Sequence, residues 1–84
     1  MSELDDLRVE VAAADREILA AVNRRIELVR AISAHKQRTG VAFVDPDQER
    51  RLVAALQEAN AGPLSPDGVR ELFEQILALV KREL

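Results

Sequence analysis

The sequence predicts an all-α protein of three helices, and three observations carry that prediction. Apolar residues recur at alternating spacings of three and four through the first segment, with no Gly or Pro before Gly40. That is the period of a helix packing along a seam. Pro46 and Pro66 each follow a residue with a capping side chain, Asp45 and Ser65, the cap-then-proline order with which helices open. No run alternates apolar and polar residues in the manner of a half-buried strand.

The first helix is expected from about residue 4 to about residue 38. Its seam is Leu4, Leu7, Val11, Ala14, Ile18, Ala21, Leu28 and Ile32, and a second stripe of Leu19, Val22, Ile26 and Val29 widens the apolar face at mid-helix. A helix of that length runs about 50 Å, more than a globule of this size can shelter. Gly40 fits its C-terminal stop, and residues 40–44 form a short apolar connection. The second helix, about 46–60, opens on Asp45 and Pro46, with Gln48 completing a capping-box pattern. Its apolar face is Leu52, Val53, Leu56 and Ala59, and Asn60-Ala61-Gly62-Pro63 ends it. The third, about 66–83, opens on Ser65 and Pro66 and is expected to bury Val69, Leu72, Phe73, Ile76, Leu79 and Val80. Residues 1–84 read as a single domain.

Composition bounds the rest. A chain of 84 residues buries only about 60% of the surface its unfolded form exposes. No cysteine is present to staple it, so oligomerisation is the remaining source of burial. Trp and Tyr are absent and aromatics are 2% of the chain, which makes the core aliphatic and nearly excludes a base-stacking platform. A net charge of −3 argues against nucleic acid or an anionic membrane as partner. No stretch approaches the roughly 20 apolar residues of a membrane span. The acidic start, Met-Ser-Glu-Leu-Asp-Asp, lacks the regions of a signal peptide. The expectation is a soluble cytoplasmic protein.

Polar groups that break the apolar pattern are the candidates for function. Position 25 continues the seam between Ala21 and Leu28, yet it holds arginine. A buried cation without compensation costs several kcal/mol, so Arg25 calls for a carboxylate, a wet cavity or an anionic ligand. Lys36 follows eleven residues later, at almost the same azimuth about three turns on. Glu49 lies on or beside the apolar face of the second helix, one turn before Leu52 and Val53. Arg8 precedes Arg25 by about 25 Å along the helix and can share its ligand only from a second copy packed antiparallel. Each residue also has a plainer reading. Arg25 can snorkel or form a structural ion bridge with Glu49, and Lys36 and Glu49 can complement helix dipoles. Arg8 can be a solvated surface residue, and Asp45 and Gln48 can act only as caps. His35 has no second His or Cys to share a metal, and no metal site is expected.

Taken as an ordered set over about residues 4–79, these pieces resemble the all-helical class of chorismate mutases. Leu-Arg-Val-Glu-Val carries Arg8 and is followed by Ala-Asp-Arg-Glu-Ile-Leu at 14–19. Asn-Arg-Arg-Ile-Glu-Leu-Val at 23–29 carries Arg25, and Ile-Ser-Ala-His-Lys at 32–36 carries Lys36. Asp-Pro-Asp-Gln-Glu-Arg at 45–50 carries Asp45 and Glu49, and Gly-Pro-Leu-Ser precedes Leu72-Phe73. The resemblance implies an intertwined helical homodimer with two sites, each receiving an arginine from the other chain. It implies the Claisen rearrangement of chorismate to prephenate, a reaction needing no cofactor. Arg25 and the partner chain's Arg8 would hold the substrate's carboxylates, and Lys36 would bond the ether oxygen. Glu49 would accept from the ring hydroxyl, aided by Asp45.

The chain departs from the family pattern at three substrate-facing positions. Gln48 stands where the family usually has arginine, and Val80 and Leu84 stand where it often has serine and glutamine. These departures lower the polar support around the ligand. They point to modest activity, or to activity that depends on a shikimate-pathway partner enzyme or fused domain. The Asn-Ala-Gly-Pro-Leu-Ser stretch also resembles mutase domains fused to the first enzyme of that pathway, some of them chiefly regulatory. Alternative readings on the same scaffold are an isochorismate-pyruvate lyase, an aminodeoxychorismate mutase, or a non-catalytic dimerisation module.

Overall fold

The computed structural model describes residues 2–39 and 46–84. They form α1 (Glu3–Thr39), α2 (Pro46–Ala59) and α3 (Pro66–Glu83), with no strand among the described residues. The bounds lie within a residue of those expected. The stop at Gly40, the 40–44 connection and the Asp45 cap fall outside the described residues.

Helix α1 starts one residue before its first apolar position because Ser2 caps it. The Ser2 Oγ accepts from the Asp5 backbone N–H at 3.1 Å, and the Ser2 carbonyl accepts from that of Asp6 at 3.2 Å. Glu3, Asp5 and Asp6 place negative charge in the first turn, where the helix dipole favours it. Apolar periodicity gives no sign of this cap, since it starts counting only at Leu4.

The connection between α2 and α3 is fixed by its own polar groups. The Asn60 side-chain amide donates to the Leu64 carbonyl at 2.6 Å, and its oxygen accepts from the Gly62 N–H at 3.1 Å. Gly62 has φ +85°, a backbone region that a residue with a Cβ rarely adopts. Ser65 caps α3 as expected, accepting from the Gly68 N–H at 3.0 Å, with Pro66 in the first turn. The Gln57 amide donates to the Pro66 carbonyl at 2.9 Å and pins α2 to the start of α3.

Helix α3 is the central element. It packs against both α1 and α2, whereas α1 and α2 have no direct backbone approach among the described residues. The Arg30 guanidinium donates to the Glu83 carbonyl at 2.9 Å and ties α1 to the end of α3. The buried core is Val53, Val69 and Val80, flanked by half-buried Val22, Ile26, Val29, Leu52, Leu56, Phe73, Ile76, Leu77 and Leu79.

Three expectations about burial need correction. Within one chain the second stripe of α1 is the covered one: Val22, Ile26 and Val29 face inward, while Leu4, Leu7, Val11, Ile18, Leu28 and Ile32 are exposed. Periodicity locates both stripes, but only the position of α3 decides which is covered. Leu72 is 45% exposed, and Leu77 is half-buried instead. At 100° per residue the two lie on opposite edges of the Val69–Phe73–Ile76–Val80 stripe, and α2 packs on the Leu77 edge. Ala59 is exposed at the end of α2, beyond the reach of that packing.

The resulting shape is elongated. It measures 57 × 24 × 18 Å with a radius of gyration of 16.3 Å, against about 12 Å for a compact domain of this length. Helices α2 and α3 cover only the C-terminal half of α1. Between Ser2 and Ala21, Ala13 alone is half-buried.

Candidate active site

At the covered end the three helices line a cavity of about 200 Å³. Helix α1 contributes Arg25, Val29, Ile32 and Lys36, a three-four spacing that sets all four on one face. Helix α2 contributes Gln48, Glu49 and Leu52, and α3 contributes Leu77, Val80, Lys81 and Leu84. Six residues singled out in the sequence therefore meet in one place: Arg25, Lys36, Gln48, Glu49, Val80 and Leu84. Arg8 does not join them within the chain. Its side chain is 71% exposed and 3.9 Å from Asp5, a surface pair of little energetic weight. Asp45 falls outside the described residues.

The electrostatics of the cavity oppose those of the whole chain. Its described wall holds the cations Arg25, Lys36 and Lys81 against the single carboxylate of Glu49, in a protein of net charge −3. The ion bridge between Arg25 and Glu49 that the sequence leaves open is not the one formed. Glu49 Oε1 lies 2.7 Å from Lys81 Nζ on α3. Arg25 is half-buried and has no carboxylate within ion-pair distance among the described residues. A guanidinium partly withdrawn from water and facing a cavity has five donors to offer an anion, and carboxylates match its fork bidentately.

Lys81 is the site residue that pattern reading misses. It lies in the last turn of α3 beside Arg82, where basic residues are ordinary complements of the helix dipole. The available signal is its place four residues after Leu77, which puts both on one face. That face points into the cavity.

A larger hollow of about 400 Å³ lies between α2 and α3, lined by Pro46, Arg50, Val53, Arg70 and Glu74 among others, and shares Glu49 and Leu77 with the first. Its cations already have surface partners: Arg50 bonds Asp47, and Arg70 lies 3.6 Å from Asp67. Despite its size it presents no cation without a partner, and it contains none of the α1 residues. Among the described residues no group of His, Asp and Glu is arranged to hold a metal. No described helix is long and apolar enough to cross a membrane.

Comparison with known proteins agrees with this fold. The family model for chorismate mutase type II matches residues 7–83. The chorismate mutase of Thermus thermophilus, solved in two forms, superposes with a TM-score of 0.90 in each case. Form I is 32% identical, covering 94% of this chain and 99% of that one. Form II is 31% identical, covering 96% and 92%. The T-proteins of Enterobacter agglomerans and Haemophilus influenzae are each 32% identical over 84 residues, which is 99% of this chain but 21% of theirs. The chain thus spans about one fifth of the length of these curated relatives. With the fold matched end to end and the family model covering all three helices, the chain belongs to the chorismate mutase type II family.

Proposed function

We propose that the cavity between α1, α2 and α3 is the substrate site of this family member, and that chorismate is rearranged to prephenate there. The observation that carries the proposal is Arg25, half-buried and without a carboxylate partner among the described residues, on the same wall as Lys36. The substrate is a dicarboxylate whose ether bond breaks while a carbon–carbon bond forms, with no nucleophile needed. The protein's task is to hold a compact conformer and to stabilise charge as it develops. Arg25 binds one carboxylate. Lys36 donates to the ether oxygen as negative charge gathers on it, and Glu49 accepts from the ring hydroxyl. Gln48, Val80 and Leu84 shape the remaining wall. Val80 and Leu84 give the ether oxygen no second donor, so the turnover expected is modest.

The second carboxylate falls to Arg8 of another copy in a homodimer. Two features support this. Arg8 stands about 25 Å from Arg25 along α1, and the α1 seam beside it (Leu4, Leu7, Val11, Ile18) is exposed at 51–62%. A contiguous apolar stripe on a small soluble chain marks an interaction surface. The setting is cytoplasmic, with another shikimate-pathway enzyme as a partner or fused domain.

The test is turnover of chorismate by the purified chain, followed by substrate absorbance and by prephenate formed. Arg25→Ala is expected to lower kcat/KM by roughly 10²–10³-fold with unchanged helical circular dichroism. Failure of the parent to exceed the spontaneous rate at any protein concentration defeats the proposal.

A further inference from the structure

Of the charged side chains in the described cavity wall, Arg25, Lys36 and Glu49 have roles above and Lys81 has none. Its Nζ sits 2.7 Å from Glu49 Oε1, and the two side chains are 44% and 32% exposed. The pair is therefore open to the cavity and not sealed beneath it. An ammonium carries three donors, so the bond to Glu49 leaves two. The neighbouring α2 residue in the wall, Gln48, is neutral. Glu49 alone would repel an anionic ligand. With Lys81 against it that repulsion is offset, and three cations then face one carboxylate. That excess of positive charge suits an anionic ligand.

We propose that Lys81 is a positioning residue for substrate recognition: it holds the Glu49 carboxylate toward the ligand's hydroxyl and balances its charge, so that this end of the cavity accepts a dianion bearing a hydrogen-bond donor. The proposal rests on the reading of the cavity as the mutase site. Lys81 acts through Glu49, so its removal affects binding more than the chemical step.

The test measures KM and kcat for chorismate in the full chain and in Lys81→Met, Lys81→Arg and Arg82→Met, with circular dichroism and thermal midpoint as folding controls. Lys81→Gln replaces the methionine variant if that one misfolds. Lys81→Met is expected to raise KM about tenfold with kcat changed less than about threefold. Lys81→Arg restores most of the loss. Arg82→Met removes the same charge from the same helix turn and leaves KM as it was. In a double-mutant cycle with Glu49→Gln the two effects are non-additive, as coupled groups require. A parent that turns over while folded Lys81→Met keeps its KM within about twofold overturns this inference alone. An equal KM rise in Arg82→Met overturns it too, by assigning the effect to the helix end. Absence of turnover in the parent removes the mutase reading and this proposal with it.

Discussion

The two halves of α1 carry the same kind of apolar periodicity and have opposite surroundings. Around Ile26 the helix is half-buried against α3 and forms a wall of the cavity, whereas Ile18, two turns earlier, is 62% exposed. Nothing in residue type separates the two positions. The difference lies in neighbours: α2 and α3, at 14 and 18 residues, cannot flank a helix of 37. Helices in proteins draw most of their stability from tertiary packing, yet the projecting half buries almost nothing within its own chain. In the homodimer proposed above, this aliphatic stripe is half of the interface, covered by the same stripe on a second copy.

The strongest way to break this comparison is to place a charge in the open half. Ile18→Glu sets a carboxylate in the middle of the seam, and by two-fold symmetry it does so twice per dimer. Losing one buried isoleucine per chain, at about 2 kcal/mol each, weakens association by several hundred-fold or more. Sedimentation velocity over a concentration series checks it. A parent that sediments as a monomer throughout, or a variant indistinguishable from a dimeric parent, removes the argument for a second copy.

A subtler experiment asks whether the open half also completes the site. Arg8→Ala and Arg25→Ala are each expected to lower kcat/KM at least tenfold. In a mixed dimer one site lacks both arginines and the other keeps both. Unfolding and refolding the two variants together should then recover about a quarter of the parent activity, since half the dimers are mixed and each has one intact site. Mixing that returns no more than the average of the two variants places Arg8 outside the site.

What the sequence discloses follows the same division. Local chemistry was readable: Ser65 and Pro66 open α3 because a hydroxyl cap and a fixed φ act within a few residues, and the bond from the Gly68 N–H bears this out. The azimuths of Arg25, Lys36 and Glu49 were readable because helical spacing is rigid, and the packing of α1 and α2 on α3 brings them to one cavity. The inward stripe of α1 was not readable, because periodicity gives a face and not the partner that meets it. Lys81 escaped for a related reason. A lysine in a last helical turn is ordinary, and only the tertiary approach of α2 brings Glu49 to it. The Ser2 cap is a polar, local contact that leaves no mark on the apolar periodicity.

The smallest expected effect sharpens the comparison by making one substitution in both regions. Val69 on α3 is 3% exposed, and Val9 on α1 is 66% exposed and lies away from the seam. Val69→Ala removes packed methyl groups and leaves space that the three-helix core fills only in part, at a cost of about 2 kcal/mol. Val9→Ala is expected to change stability by less than about 0.5 kcal/mol, with a small gain from alanine's better helix propensity. Urea unfolding of both variants at one fixed protein concentration measures the difference, since the apparent stability of a dimer depends on concentration. Equal losses at the two positions would mean that Val9 is covered as well as the seam. The free half of α1 would then be enclosed on more than one side.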